Sequence, residues 1–131
     1  METIRLYGIA ERRGIPIDRY PLPLTHSVSL KSGKSMFIAL DQEVSGAAEK
    51  VCLAHELGHC ATYSFYNIYS KLDIREKHER HANLWAIKKL VPEKKFNAAL
   101  SSGYDNIYSL AEYFGVTQDF MIKAVNYYKQ S

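Results

Sequence analysis

Two histidines stand four residues apart in the segment His55-Glu56-Leu57-Gly58-His59, and a glutamate follows the first of them. On an α-helix, residues i and i+4 share one face, so both imidazoles could bind the same metal ion. Glu56 would then stand beside the metal's open position and could act as a base toward a water molecule. This combination is typical of a zinc-dependent hydrolase.

A catalytic zinc site usually has three protein ligands and one open position, so the two histidines need a third partner. Glu79 is the first choice, because it begins a stripe of residues at helical spacing. The stripe continues with Ala82, Asn83, Ala86 and Leu90. Glu76 shares roughly that face and is the second choice; its alternative role is a solvated carboxylate near a helix N-terminus. His78 and His81 point elsewhere around this helix and are expected at the surface.

Peptide hydrolysis also needs a hydrogen-bond donor for the oxyanion that forms at the carbonyl. Tyr63 and Tyr66 follow the motif, and His26 lies in a predicted hairpin. If these residues have no catalytic role, Tyr63 is expected to be a packed aromatic ring and His26 a surface side chain. The sequence does not choose among these three.

The two cysteines of the chain are predicted to be reduced thiols. Cys52 and Cys60 would lie about 12 Å apart along one helix, beyond the reach of a disulfide. Cys52 precedes His55 by nearly one turn and could reach a metal as a thiolate, but core packing is the expected role. Cys60 has no predicted role.

The elements that must hold these residues are mostly helices. A short N-terminal helix should end near Gly14, since glycine commonly follows a helix C-terminus. Four more helices are predicted over Ala47 to about Tyr66, Asp73 to Leu90, Asn106 to Phe114 and Thr117 to Lys129. Pro92 ends the second of these, and Gly115 separates the last two.

The remaining regular structure is a small sheet. Ser27–Leu30 and Ser35–Leu40 flank a glycine-containing turn and are predicted to form a β-hairpin. The stretch from Ile15 to Leu24 contains three prolines and is predicted to be irregular. The fold class is therefore α+β: a compact, mostly helical domain with a small antiparallel sheet packed by the motif helix.

Bulk properties restrict the class of protein. At 131 residues, with 47% hydrophobic residues, the chain is expected to form one domain over residues 1–131. The net charge of +3 is too small to imply a nucleic-acid partner. No secretory leader pattern follows Met1, and the longest apolar stretch, Met36–Leu40, is too short to cross a bilayer. A cytoplasmic location without membrane association is expected.

Taken together, three segments resemble the ImmA/IrrE family of zinc metallopeptidases. They are His55-Glu56-Leu57-Gly58-His59, Glu79-x-x-Ala82-Asn83-Leu84-Trp85-Ala86 and Leu90-Val91-Pro92. The resemblance implies a zincin-like fold of the gluzincin type, with Zn²⁺ bound by His55, His59 and Glu79, and Glu56 as the catalytic residue. Many members of the family cleave a helix-turn-helix repressor of a prophage or mobile element, which here would be a separate protein substrate.

Two alternatives to a peptidase stay open. A non-hydrolytic metal-binding module for regulation or protein interaction would have the same ligands. A DNA-binding module over residues 109–129 is less favoured, because Phe120, Met121 and Ile122 occupy positions that should carry polar groups. If the chain is a peptidase, the strand Ser35–Leu40 is predicted to pair with an extended substrate.

Overall fold

The computed structural model describes residues 1–67 and 69–130 and has an α+β fold. The helices are α1 (Thr3–Arg12), α2 (Gly46–Thr62), α3 (Leu72–Leu90), α4 (Glu93–Ser101), α5 (Ile107–Phe114) and α6 (Gln118–Lys129). The strands are β1 (Ile17–Tyr20), β2 (Ser27–Ser32) and β3 (Ser35–Asp41). The predicted mostly helical domain with a small sheet is confirmed.

The three strands form one mixed sheet in the order β1-β3-β2. The predicted hairpin is present: β2 and β3 are antiparallel, with Ser27 opposite Leu40. β1 runs parallel to β3, with Ile17 opposite Ile38, so the prediction of an antiparallel sheet holds for the hairpin but is wrong for the whole sheet. Because β3 is the central strand, neighbours cover both of its edges, so the prediction that Ser35–Leu40 pairs with a substrate is wrong. On the hairpin side of the sheet, the outer strand is β2.

The prediction of irregular structure from Ile15 to Leu24 is also wrong. β1 lies between Pro16 and Pro21, so these prolines flank the strand and do not interrupt it. A four-residue strand at the edge of a sheet is a position where flanking prolines are tolerated. Its pairing with β3 is non-local, which explains why the local pattern did not indicate it.

Two helices differ from the prediction. α2 ends at Thr62 and not near Tyr66, because Tyr63 adopts a left-handed backbone conformation (φ +52°) that stops the helix. α4 was not predicted, although Pro92 immediately before it and Glu93 in its first turn are typical of a helix start.

The motif helix α2 is the centre of the fold. It contacts α1, both strands of the hairpin and α3. Fully buried side chains of α2, the sheet and α3 share one apolar cluster, for example Leu53, Leu57, Leu40 and Leu90. The C-terminal helices add Leu110, Phe114, Phe120 and Met121 to it. Within the part of the chain that the structure describes, no helix has the length and apolar character needed to cross a membrane.

Candidate metal centre

Close contact between α2 and α3 brings the two halves of the site together. Gly58, between the two motif histidines, faces the backbone of α3. A Cβ atom at this position would lie 2.5 Å from the carbonyl oxygen of Ala82. Since real Cβ atoms do not approach a backbone oxygen this closely, only glycine permits this packing. Ala82 is completely buried, and the Glu79 side chain one turn earlier reaches the motif histidines.

The side chains of His55, His59 and Glu79 converge at one point. Glu79 Oε2 lies 3.0 Å from His55 Nε2, and Glu79 Oε1 lies 3.0 Å from His59 Nε2. The two Nε2 atoms are 3.2 Å apart. Tetrahedral zinc with bonds of about 2.0–2.1 Å would separate its ligand atoms by about 3.3 Å. The three side chains therefore have nearly the spacing that such an ion requires.

The second nitrogen of each imidazole is held by a hydrogen-bond acceptor. His55 Nδ1 lies 2.9 Å from Asn83 Oδ1, and His59 Nδ1 lies 2.6 Å from the Ser64 carbonyl oxygen. Each Nδ1–H must therefore be the donor, which leaves the Nε2 lone pair directed toward Glu79. Two nitrogen lone pairs and a carboxylate then meet without a donor between them. Such a group repels itself unless a cation lies at its centre, so the residues fit a divalent metal.

Without a metal, protons supply the positive charge at this point. Burial alone would lower the pKa of His59, but its hydrogen bonds to Glu79 and to the Ser64 carbonyl outweigh this and raise the pKa. For Glu79, burial would raise the pKa, but hydrogen bonds from His55, His59 and Tyr66 bring it well below the usual range. The site therefore favours a proton on His59 and negative charge on Glu79.

Glu56 is buried and lies beside this group. Ser27 of β2 donates a hydrogen bond from its hydroxyl to Glu56 Oε2 at 2.7 Å. The contact fixes one carboxylate oxygen to the sheet and leaves the other for a second partner. Glu56, both histidines and Glu79 line a common cleft of about 440 Å³.

The walls of the cleft come from β2 and from the segment after α2. β2 and the residues before it contribute Thr25, Ser27, Val28 and Ser29. α2 ends at Thr62 with a left-handed residue, and the segment that follows contributes Phe65 and Tyr66 to the lining. The Tyr66 hydroxyl donates a hydrogen bond to Glu79 Oε1 at 2.7 Å. Burial and this contact raise the pKa of Tyr66 to about 12.

Other candidates from the sequence lie outside the convergent group. Glu76 is exposed, as is His81. His78 is half-buried, and not at the surface as expected; its Nδ1 atom is enclosed and has no hydrogen-bond partner among the described residues. Tyr63 caps α2 and is 67% exposed, and His26 is also largely exposed.

Both cysteines are free, as predicted. Cys52 packs against the apolar core, and burial raises the pKa of its thiol. Cys60 is completely buried, and burial raises the pKa of its thiol to about 11. Neither thiol belongs to the convergent group, so the expected packing role of Cys52 is confirmed.

Three residues around the site were not predicted to act there. Asn83 lay in the helical stripe, and an amide one turn after a ligand glutamate could have indicated a partner for a histidine. Ser27 contacts Glu56 only because of the strand register, and Ser64 acts through its backbone carbonyl. The residue types and their spacing in the sequence do not indicate either contact.

Comparison with known proteins agrees with this geometry. The family model for the IrrE N-terminal-like domain, peptidase M78, matches residues 10–126. A comparison with curated proteins found no match. The family match covers the sheet, the motif helix and Glu79. The chain belongs to the IrrE N-terminal-like family of metallopeptidases.

Proposed function

We propose that this protein is a zinc-dependent endopeptidase, with His55, His59 and Glu79 as metal ligands and Glu56 as the general base. The observation that carries the proposal is the meeting of two Nε2 lone pairs and a carboxylate at one point, each ring fixed by an acceptor on its other nitrogen. Imidazole and carboxylate ligands in an open tetrahedral site favour zinc among the common divalent metals.

A bound divalent metal would supply a Lewis acid that acidifies water and polarises a peptide carbonyl. Glu56 accepts a proton from the attacking water through the carboxylate oxygen that Ser27 does not hold. The same carboxyl group then returns the proton to the amine that leaves. Asn83 and the Ser64 carbonyl keep both histidines in the orientation that binds metal.

The substrate is proposed to be an extended segment of another protein. Residues 27–29 of β2 line the cleft, and β2 is an edge strand of the sheet. An extended peptide could therefore add to this edge through its main chain, and the scissile bond would lie beside Glu56. A separate helix-turn-helix repressor in the cytoplasm is the target that the family resemblance favours.

Cleavage by a Glu56→Gln variant tests this function. The zinc-loaded wild type should cleave members of a quenched fluorescent peptide library, and the Glu56→Gln variant should lose at least about 100-fold in rate at equal zinc content. Glu76→Gln is the matched control, because it makes the same change at an exposed position of α3 and should have no effect.

Two results would contradict the proposal. Equal cleavage by wild type and Glu56→Gln would remove Glu56 from the chemistry. A wild type that holds zinc but cleaves no peptide would favour the non-hydrolytic metal-binding module. The Glu56→Gln variant also tests the target, since it should retain a bound substrate protein whose identity mass spectrometry can establish.

A further inference from the structure

Addition of water to a peptide bond places negative charge on the carbonyl oxygen. The water oxygen bonds to the carbonyl carbon, Glu56 takes the proton, and the π electron pair moves to the oxygen. The C–N bond then breaks, and the amine receives the proton. A hydrogen-bond donor already directed at this oxygen lowers the barrier, because charge there develops only during the reaction.

Among the described residues that line the cleft, four side chains carry hydroxyl groups: Thr25, Ser27, Ser29 and Tyr66. The Ser27 hydroxyl already donates a hydrogen bond to Glu56, the proposed general base, so it is not free to serve the substrate oxygen. Only the Tyr66 hydroxyl of these four is seen in contact with the convergent group, at 2.7 Å from Glu79 Oε1.

The Tyr66 ring is positioned from several sides. It lies edge-on to His59, with 6.0 Å between the ring centroids. The Arg75 guanidinium lies over the ring, 5.5 Å from its centroid. The residue is nevertheless 39% exposed, so a substrate in the cleft can reach it. Its hydroxyl could then exchange the contact with Glu79 for one with the substrate oxygen.

The two other donors that the sequence offers are placed differently. Tyr63 is 67% exposed at the end of α2, and nothing in the described cleft lining comes from it. The His26 ring is 57% exposed and faces Asp41, with 3.8 Å between His26 Nδ1 and Asp41 Oδ2. Tyr66 is therefore the best placed of the three.

We propose that Tyr66 is a catalytic residue whose hydroxyl donates a hydrogen bond to the oxyanion of the tetrahedral intermediate. This inference rests on the peptidase function proposed above. It assigns opposite tasks to groups held by different elements: Glu56, fixed by β2, handles the proton, and Tyr66, fixed by α3, stabilises the negative oxygen.

The test compares Tyr66→Phe with Tyr63→Phe, which removes the same hydroxyl from the neighbouring turn. Zinc affinity is measured by competition with a chromophoric chelator, and kcat and KM are measured on the best peptide from the fluorescent library. Tyr66→Phe should lose about 100- to 1000-fold in kcat, the usual cost of one oxyanion donor. Its KM and zinc affinity should change by less than about threefold. Tyr63→Phe should match the wild type.

Two outcomes would overturn the role of Tyr66 without contradicting the peptidase function. Cleavage by Tyr66→Phe equal to that by Tyr63→Phe would show that the hydroxyl is dispensable. A zinc affinity reduced about 10- to 100-fold, with cleavage restored by excess zinc, would make Tyr66 a positioning residue for Glu79. Failure of the peptidase function itself is seen separately: wild type and Glu56→Gln would then behave alike, which would also remove the role of Tyr66.

Discussion

At the scale of single residues, the site is defined as much by the second nitrogen of each histidine as by the first. Asn83 and the Ser64 carbonyl accept hydrogen bonds from the Nδ1 atoms, and so commit both Nε2 atoms to a common point. Glu79 meets them there with both carboxylate oxygens. Protons and metal ions must therefore compete for the same small volume.

This competition predicts that zinc affinity depends on pH. The pKa of His59 is raised by Glu79 and Ser64 despite burial, so the ring holds a proton to higher pH than an ordinary histidine. Zinc must displace that proton, and its affinity should fall by about tenfold per pH unit as pH decreases below this raised pKa. Chelator competition between about pH 5.5 and 7 measures the slope, because this pH range lies on both sides of an ordinary histidine pKa.

The Glu56→Gln variant is the control for this experiment. It leaves the three proposed ligands unchanged and should give the same slope, but the fall should begin at lower pH, because the Glu56 charge helps to raise the pKa of His59. A zinc affinity that stays constant over this pH range would contradict the protonated state of the metal-free site.

At the scale of elements, the site depends on how closely α3 approaches α2. Gly58 faces the Ala82 backbone, and its missing side chain sets the distance between the two helices. Two of the proposed ligands come from α2 and the third from α3, so any separation of the helices would move Glu79 away from both histidines. The glycine in the motif is thus a packing requirement of the candidate metal centre.

Gly58→Ala should therefore weaken both the fold and the metal site. Its Cβ would meet the Ala82 oxygen at 2.5 Å, and forced overpacking of this kind costs about 1–3 kcal/mol. Zinc affinity should fall as well. Gly8→Ala is the matched control, since its Cβ would meet only the flexible end of Arg12, at 3.3 Å.

Chemical denaturation and chelator competition measure the two effects. The control should be neutral or slightly stabilised, because alanine favours a helix over glycine by up to about 1 kcal/mol. If Gly58→Ala matched Gly8→Ala in stability and in zinc affinity, the close contact between the helices would not matter to the site.

At the scale of the whole molecule, the candidate metal centre connects parts of the fold that are distant in sequence. The hairpin holds Glu56 through Ser27, the turn after α2 supplies Ser64 and Tyr66, and α3 supplies Glu79. An ion bound only by the folded chain stabilises all of these together by mass action.

Zinc should consequently raise the melting temperature of the wild type. A free concentration 100 times the Kd would add about 2.7 kcal/mol to the free energy of unfolding. For a chain of this size, that corresponds to roughly 8–11 °C in Tm. Differential scanning calorimetry should show the rise, and a chelator should reverse it. An equal rise in His55→Ala would indicate that zinc binds elsewhere.

Local periodicity predicted the parts of this molecule that single helices determine. The i, i+4 spacing of His55 and His59 and the stripe that begins at Glu79 needed no tertiary information, and the structure brings all three together. Long-range pairing could not be predicted in the same way. The parallel contact of Ile17 with Ile38 and the hydrogen bond from Ser27 to Glu56 depend on sheet register, which only the folded chain determines.

The end of α2 is a second feature that could not be predicted from the sequence. Nothing in the types of Tyr63 and Ser64 indicates a left-handed turn, because residues other than glycine rarely adopt one. The turn forms where the carbonyl oxygen of the buried Ser64 accepts a hydrogen bond from the His59 ring, five residues earlier. Helical periodicity gives no indication of this contact between a side chain and the backbone. That the chain is a single domain stays a prediction.

Zinc content is the most direct test of the metal centre. Wild type, His59→Ala, Glu79→Ala and Glu76→Ala are loaded with zinc, desalted and measured by elemental analysis. We expect about one zinc per chain in wild type and in Glu76→Ala, and loss of zinc in the other two variants, since a stable site of this kind needs all three ligands. Zinc retained by Glu79→Ala, or a wild type that binds none, would contradict it.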